Sequence, residues 1–307
     1  MLNVNRLKML REVAGRGTIA AAADALFMSP SAVSQQMGVL EREAGVPLLE
    51  RMGRGVQLTD AGRRLVENTE HVLAALEHAE ADLASASQGI VGHVRVSAFP
   101  TAARNVLVPA LVTLRERHPN LRISMIDLEP EESVPALKAR ELDVVLTYEW
   151  DLLPTLEDAG VEREELFAEP VYLILPLDHP AALRQGPVTM AEFAEEEWIV
   201  GRDSTSMLDL VAAAARRSGF EPKTDFHSMD FEVILAAVAA GLGVALGPAL
   251  ALVGDVSHVA VRDLADLDLN RSIWAAIRRG SGTNPGIAAV LSALRDAAET
   301  TACQLPR

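Results

Sequence analysis

At 307 residues the chain has room for about two or three domains, and its 49% hydrophobic and 23% charged residues exclude a disordered polymer. A single cysteine, Cys303, excludes an internal disulfide or a thiolate metal cage and fits a reducing, cytoplasmic setting. The formal net charge of −15 argues against DNA binding by the chain as a whole, but residues 1–65 hold nine Lys+Arg against six Asp+Glu, and the remainder 19 against 37. Any attraction to phosphate is thus confined to the first 65 residues and is mild, so one copy should bind weakly and a dimer more firmly.

The opening residues, MLNVNRLKML, lack the apolar core of a signal peptide. A helix over about Asn5 to Ala14 places Leu7, Leu10, Val13 and Ala14 on one face, and Gly15 and Gly17 end it. Thr18 caps a second helix, Ile19 to Leu26, whose alanines permit close approach. Ser29 caps a third, with Pro30 in its first turn, where no N–H is needed. Val33, Met37, Leu40 and Ala44 recur at helical spacing and face the core, while Ser31, Ser34 and Gln35 face solvent or DNA. Gln36 lies beside the core stripe. Two helices at a tight corner, the second with a small polar face, is the pattern of helix-turn-helix DNA readers; a three-helix bundle with a polar surface is the alternative. Pro47-Leu48-Leu49 and Val56 to Thr59 then flank Arg51 and Arg54, as in a two-stranded wing whose arginines reach phosphate or a narrow minor groove. A solvated turn is the other reading of those arginines.

A long helix follows, capped by Thr59. Leu65, Thr69, Val72, Leu76, Ala79 and Leu83 form three heptads of a pairing seam, favoured over packing on the helix's own domain. His71 and His78 have no third ligand nearby and read as surface histidines. Ser85 to Gly92 ends the helix. From His93 the rhythm alternates: strands at His93 to Ala98, Leu121 to Ile126, Leu142 to Tyr148, Val171 to Leu175, Trp198 to Val200, Val244 to Leu246 and Arg271 to Ile277, with helices between and a last one over Pro285 to Thr300. This predicts parallel sheets flanked by helices, in two units with a cleft between them. Val233 to Gly254 is uncharged and long enough to span a bilayer, but Gly241, Gly243, Gly247 and Pro248 break it, and it reads as a buried helix–strand unit rather than a membrane segment.

The pattern resembles the LysR-type transcriptional regulators. Their N-terminal signature is matched by Ala20 to Leu26, Ser29-Pro30-Ser31-Ala32-Val33-Ser34-Gln35-Gln36, Leu40-Glu41, Gly45 to Arg51 and Leu58-Thr59-Asp60-Ala61-Gly62, over about 60 residues. Three departures matter. Many members have Gln-Pro where Pro30-Ser31 stands, so Ser31 replaces a base-reading glutamine. Many have basic residues at the positions of Gln35 and Gly38. Leu49 stands for the usual Phe, which affects packing alone. Leu142 to Leu146 and Gly241 to Pro248 look like landmarks of the family's effector domain. The resemblance implies an α/β chain: a winged helix-turn-helix over 1–59, a linker and dimerisation helix over 60–88, and a periplasmic-binding-protein-like domain over 89–307, with lobe one at 92–162 plus 269–307 and lobe two at 163–268. It further implies promoter DNA, a small-molecule effector and a homodimer or homotetramer as partners, and no cofactor.

Site candidates follow. Toward DNA they are Ser29, Ser31, Ser34, Gln35, Arg51 and Arg54. In the cleft they are polar residues after strands: Thr101, Thr147, Arg202, Ser204, Thr205 and His227. Arg202 beside a helix start suits a carboxylate, whereas Asp203, Asp230 and Glu149 suit an amine; the sequence leaves both open. An enzyme or solute-binding protein with an accessory helix-turn-helix is the rival, although no phosphate loop, GxSxG turn or His-rich metal motif is present.

Overall fold

Three short helices built on capped starts open the structure, a computed structural model that describes residues 1–52, 55–88, 90–153, 160–202 and 206–305, without the side chains of 51–52, 74, 77–78 and 80–88. The Asn3 side chain accepts from the Asn5 and Arg6 amides to start α1 (Val4–Arg16), which ends at Gly17 with φ 71°. Thr18 caps α2 (Ile19–Ala25), and Ser29 caps α3 (Pro30–Ala44) by accepting from the Ala32 amide at 3.2 Å. Leu7, Leu10, Val13, Ala22, Ala23, Val33, Met37, Leu40 and Leu48 close into one small core. An antiparallel hairpin follows, β1 (Leu49–Met52) and β2 (Gly55–Leu58).

Polar clamps hold this hairpin on the helices. The Glu41 carboxylate accepts from the Leu48 and Leu49 amides at 2.9 and 3.1 Å. Thr59 donates to the Pro47 carbonyl at 2.8 Å and caps α4 (Asp60–Gln88) by accepting from the Gly62 amide at 3.0 Å. A Cβ at Gly62 would stand 2.2 Å from the Leu48 carbonyl oxygen, so only glycine lets α4 pass the hairpin. The α4 seam divides. Thr69 and Leu73 are buried within the chain, whereas Val72, Leu76 and Ala79 face outward; the expected seam position Leu83 lies outside the described side chains.

The remaining chain forms two lobes. Lobe one carries β3 (Gly92–Ala98), β4 (Leu121–Asp127) and β5 (Val144–Trp150), with β3 paired parallel to both neighbours. Its helices are α5 (Pro100–Ala102), which runs through a π-turn at Ala103–Leu107 into α6 (Val108–Arg117), then α7 (Pro130–Lys138) and the last helix, α10 (Pro285–Ala302). Lobe two carries β7 (Glu197–Val200) parallel to β8 (Lys223–His227), β9 (Ala245–Pro248), β10 (Ala260–Arg262), α8 (Ser206–Arg217) and α9 (Phe231–Ala239). Val233 to Gly254 forms a helix–strand unit whose strand is buried but which leaves Val233 on the helix and Leu242 just past it exposed, and no helix among the described residues is long and apolar enough to cross a membrane.

The expectation of purely parallel sheets needs correction. The 15-residue β6 (Val161–Leu175) and β11 (Asn270–Arg278) run antiparallel to each other, and β5, β9 and β10 pair antiparallel to one or the other. These two strands are the crossings between lobes. One carries the chain out and the other returns it, so their directions oppose. β6 pairs with β11 through Pro170, with β9 from Val171 and with β10 from Leu173, so its change of partner falls at Pro170–Val171.

Candidate functional site

Helix α3 presents the first site. Its inner face is held by Val33, Met37 and Leu40, so 3.6-residue periodicity turns Ser31, Ser34 and Gln35 outward, all exposed. Ser29, the cap, lies beside them with its hydroxyl 3.0 Å from that of Ser31. Gln36 turns the other way and accepts from Arg6 at 3.3 Å, next to the Arg6–Glu43 ion pair at 2.5 Å. That pair holds the Glu43 carboxyl below the usual carboxylate range. Phe27, at φ 53° in the turn before α3, is 98% exposed beside this face. Hydroxyls and a carboxamide on an exposed helix can bond phosphate oxygens or base edges. The Arg51 backbone pairs with Val56 in the hairpin; the Arg51 side chain and all of Arg54 lie outside the described residues.

The second site is a cleft between the lobes, open to solvent. Lobe one lines it with Phe99, Thr101, Glu129, Tyr148 and Trp150, and lobe two with Met207, Ser228, Met229, Phe231 and Ile234. Arg271, at the start of β11, forms the floor. Its guanidinium meets Glu169 of β6 at 2.6 Å, donates to Thr101 Oγ1 at 3.1 Å, and stacks 4.9 to 5.3 Å from the Phe99, Tyr148 and Trp150 ring centres. Burial pushes the Glu169 carboxyl up, while Arg271 and the Leu250 amide, at 2.5 Å, pull it down. Burial outweighs them and leaves this carboxyl above its ordinary value, with the buried Arg271 guanidinium as its counter-charge.

A chain of donors crosses the cleft. Trp150 Nε1 donates to Ser206 Oγ at 3.2 Å, Ser206 donates to the Tyr148 hydroxyl at 3.2 Å, and Tyr148 donates to Glu129 Oε2 at 3.0 Å. Burial pushes the Glu129 carboxyl up to about 7 against the Tyr148 bond that lowers it, and burial with the nearby Glu129 raises the Tyr148 hydroxyl. The first amide of α8, on Ser206, donates to Glu131 of α7 at 3.1 Å. Arg104 reaches Glu232 at 2.9 Å, and Asn105 reaches the Leu250 carbonyl at 3.2 Å, closing the lobes on another side.

Of the cleft candidates, Thr101 lines the cavity. Thr147 does not: Tyr148 and Trp150 face the cleft, so strand alternation turns Thr147 to the other side of the sheet. Arg202 and His227 lie outside the lining; the Arg202 amide donates to Met229 Sδ at 3.5 Å, and His227 Nδ1 is 3.0 Å from the Gly201 carbonyl. Ser204 and Thr205 lie outside the described residues. The sequence reading missed Glu129, Tyr148, Trp150 and Arg271. Glu129 obeys the strand-end rule, two residues past β4, whereas Arg271 sits inside an apolar strand with its partner Glu169 far along the chain.

Residues 4–63 match the family profile of the bacterial regulatory helix-turn-helix protein, lysR family, and residues 87–299 that of the LysR substrate binding domain. The probable HTH-type transcriptional regulator LrrA of Synechococcus elongatus is 32% identical over 303 residues, 97% of this chain and 98% of its own. Among solved structures, full-length OxyR from Pseudomonas aeruginosa superposes with a TM-score of 0.69 at 22% identity, covering 100% of this chain and 98% of its own. Full-length CbnR complexed with its target DNA superposes at 0.57 and 23%, covering 96% and 100%. Both solved structures share the fold described above. With both profiles matched in this order and a relative aligned end to end, the chain belongs to the LysR family of DNA-binding transcription regulators, with a C-terminal effector-binding domain.

Proposed function

We propose that this regulator reads a promoter site through Ser29, Ser31, Ser34 and Gln35, aided by the wing arginines Arg51 and Arg54, and answers to a small molecule held between its lobes. The observation that carries it is α3 itself: one face locked in the core by Val33, Met37 and Leu40, the other a bare row of hydroxyl and amide groups. No Lys or Arg occurs between Ser29 and Glu41, so affinity comes from polar contacts, the wing and the pairing of subunits through the open Val72–Leu76 face of α4. We assign 1–59 to DNA binding, 60–88 to the linker helix and 89–307 to effector binding, in the cytoplasm.

We read the cleft as a place where an effector binds rather than reacts, a reading supported by the match of residues 87–299 to the LysR substrate binding domain and by relatives that are transcription regulators. Footprinting and gel-shift titration on the DNA upstream of the protein's own gene test the reading. The wild type should protect a partly palindromic site. Ser34→Glu should abolish the shift, because a carboxylate meets the phosphates, and leave the melting temperature of the effector domain unchanged. Equal loss of both would mean that α3 is structural alone.

A further inference from the structure

We propose that the cleft takes a small organic cation, a protonated amine on an apolar or aromatic body, with Glu129 as its counter-ion. The proposal rests on reading the cleft as the effector site. Among the described residues, two groups that an anion would seek are already taken by the protein's own carboxylates. Arg271 is paired with Glu169 at 2.6 Å, and the first amide of α8 is bonded to Glu131 at 3.1 Å. An anionic ligand would have to displace one of them and then sit beside Glu129.

Glu129 is the complementary feature. It lines the cavity, and its bonding partner is the Tyr148 hydroxyl at 3.0 Å; among the described residues no Lys or Arg nitrogen forms an ion pair with it. The groups around it are Tyr148 from β5, Glu131 and Glu132 of α7, and Arg271 from β11, itself neutralised by Glu169 of β6. Ser206 of α8 reaches it through the Tyr148 hydroxyl. Filling the cleft with a cation restores the charge balance that burial of this carboxylate upsets. Phe99, Tyr148, Trp150 and Phe231 supply apolar and aromatic walls, and the cleft is open to solvent on the side where a ligand would enter between the lobes. Beyond the cleft, residues 66–307 hold 37 acidic against 19 basic residues, a field that draws cations in.

A proton is tied to the ligand. Burial raises Glu129 to about 7 in the empty cleft. A cation binds the ionised form, so its affinity should hold above that pH and fall by about tenfold between pH 8 and pH 6.

Calorimetry on the full-length protein with benzylamine, benzyl alcohol and benzoate, three probes of one body and different charge, tests this at pH 6, 7 and 8. Benzylamine, protonated throughout, should bind at pH 8 more than about tenfold tighter than benzoate and weaken toward pH 6. Glu129→Gln should erase that preference and its pH dependence while benzyl alcohol binds as before. Met229→Trp, which fills the cleft, should block every probe. Benzoate binding as tightly as benzylamine, a preference that survives Glu129→Gln, or no benzylamine binding at millimolar concentration overturns the charge assignment. In the first two cases a loss of binding in Met229→Trp leaves the cleft itself standing. Probe binding indifferent to Met229→Trp overturns the cleft as the site.

Discussion

At Asp143 three sets of donors converge on one carboxylate: the Arg95 amide at 2.9 Å, the Arg95 guanidinium at 3.0 Å and Arg278 at 3.0 Å. Burial pushes this carboxyl up, but the bonds from Arg95 and Arg278 outweigh it and hold it below its ordinary value. Its contribution to stability is therefore present above the ordinary Asp range and lost as pH falls through the lowered value. Asp143→Ala removes the one carboxylate bonded to both Arg95 and Arg278, whose side chain is 5% exposed, and should cost about 3–5 kcal/mol in urea unfolding. Glu129 works in the opposite sense. Its carboxyl, raised to about 7, binds a proton more tightly in the folded chain than in the unfolded one, so stability falls as pH rises from the ordinary Glu range to 7. Glu129→Gln keeps an acceptor for Tyr148 and removes that penalty. Its melting temperature should exceed the wild type's at pH 8, by on the order of 2–3 kcal/mol of stability, and approach it near pH 5.

At the scale of elements, α3 and α4 show what periodicity conveys. Every core position expected on α3 is wholly or partly buried, and every polar position assigned to solvent is exposed. On α4 the heptad spacing holds two meanings at once. Thr69 is 1% exposed against its own chain, while Val72 and Leu76 remain 43% and 42% exposed, three and seven residues on. An apolar stripe is the same in sequence whether its partner is the same chain or another. Leu76→Glu should shift the protein toward monomers in sedimentation and cut the salt dependence of DNA binding to about half, since one head contacts half the phosphates. β6 shows the reverse case. Its first ten residues, VEREELFAEP, carry too many charges to read as a strand, yet they pair along β11, with Glu164 turned to Arg295 at 3.0 Å and Glu169 to Arg271 at 2.6 Å.

Across the whole molecule the DNA-binding head and the effector domain meet at charges. Glu70 on α4 takes Arg140, just past α7, at 3.2 Å and stands 4.0 Å from Arg11 on α1; Arg16 reaches Glu141 at 3.5 Å. The same helix α7 starts at the cleft, where Glu129 and Glu131 sit, and ends at this junction. Glu70→Ala should raise amide exchange in α1 and around 139–141 by about tenfold while β5 and β11 stay protected, because their ladder bonds belong to the sheet alone. Hydrogen exchange read by mass spectrometry checks this.

The sequence alone determined what is local. Caps at Thr18, Ser29 and Thr59, the αL ending at Gly17, the inward and outward faces of α3 and the order of most strands follow from chemistry within a few residues. The Leu142-Asp143 landmark and the Leu58 to Gly62 run were legible as motifs, but their reasons were not. Gly62 is required by the Leu48 carbonyl, and Asp143 by arginines from two other strands. Only the tertiary structure decided the cleft. Arg271 and Glu169 are 102 positions apart, the Glu131–Ser206 bond spans 75, and Tyr148 rather than Thr147 faces the cavity because β5 runs on to Trp150. Such pairings depend on which strands cross between lobes and in which direction, and no spacing within a single strand or helix carries that information.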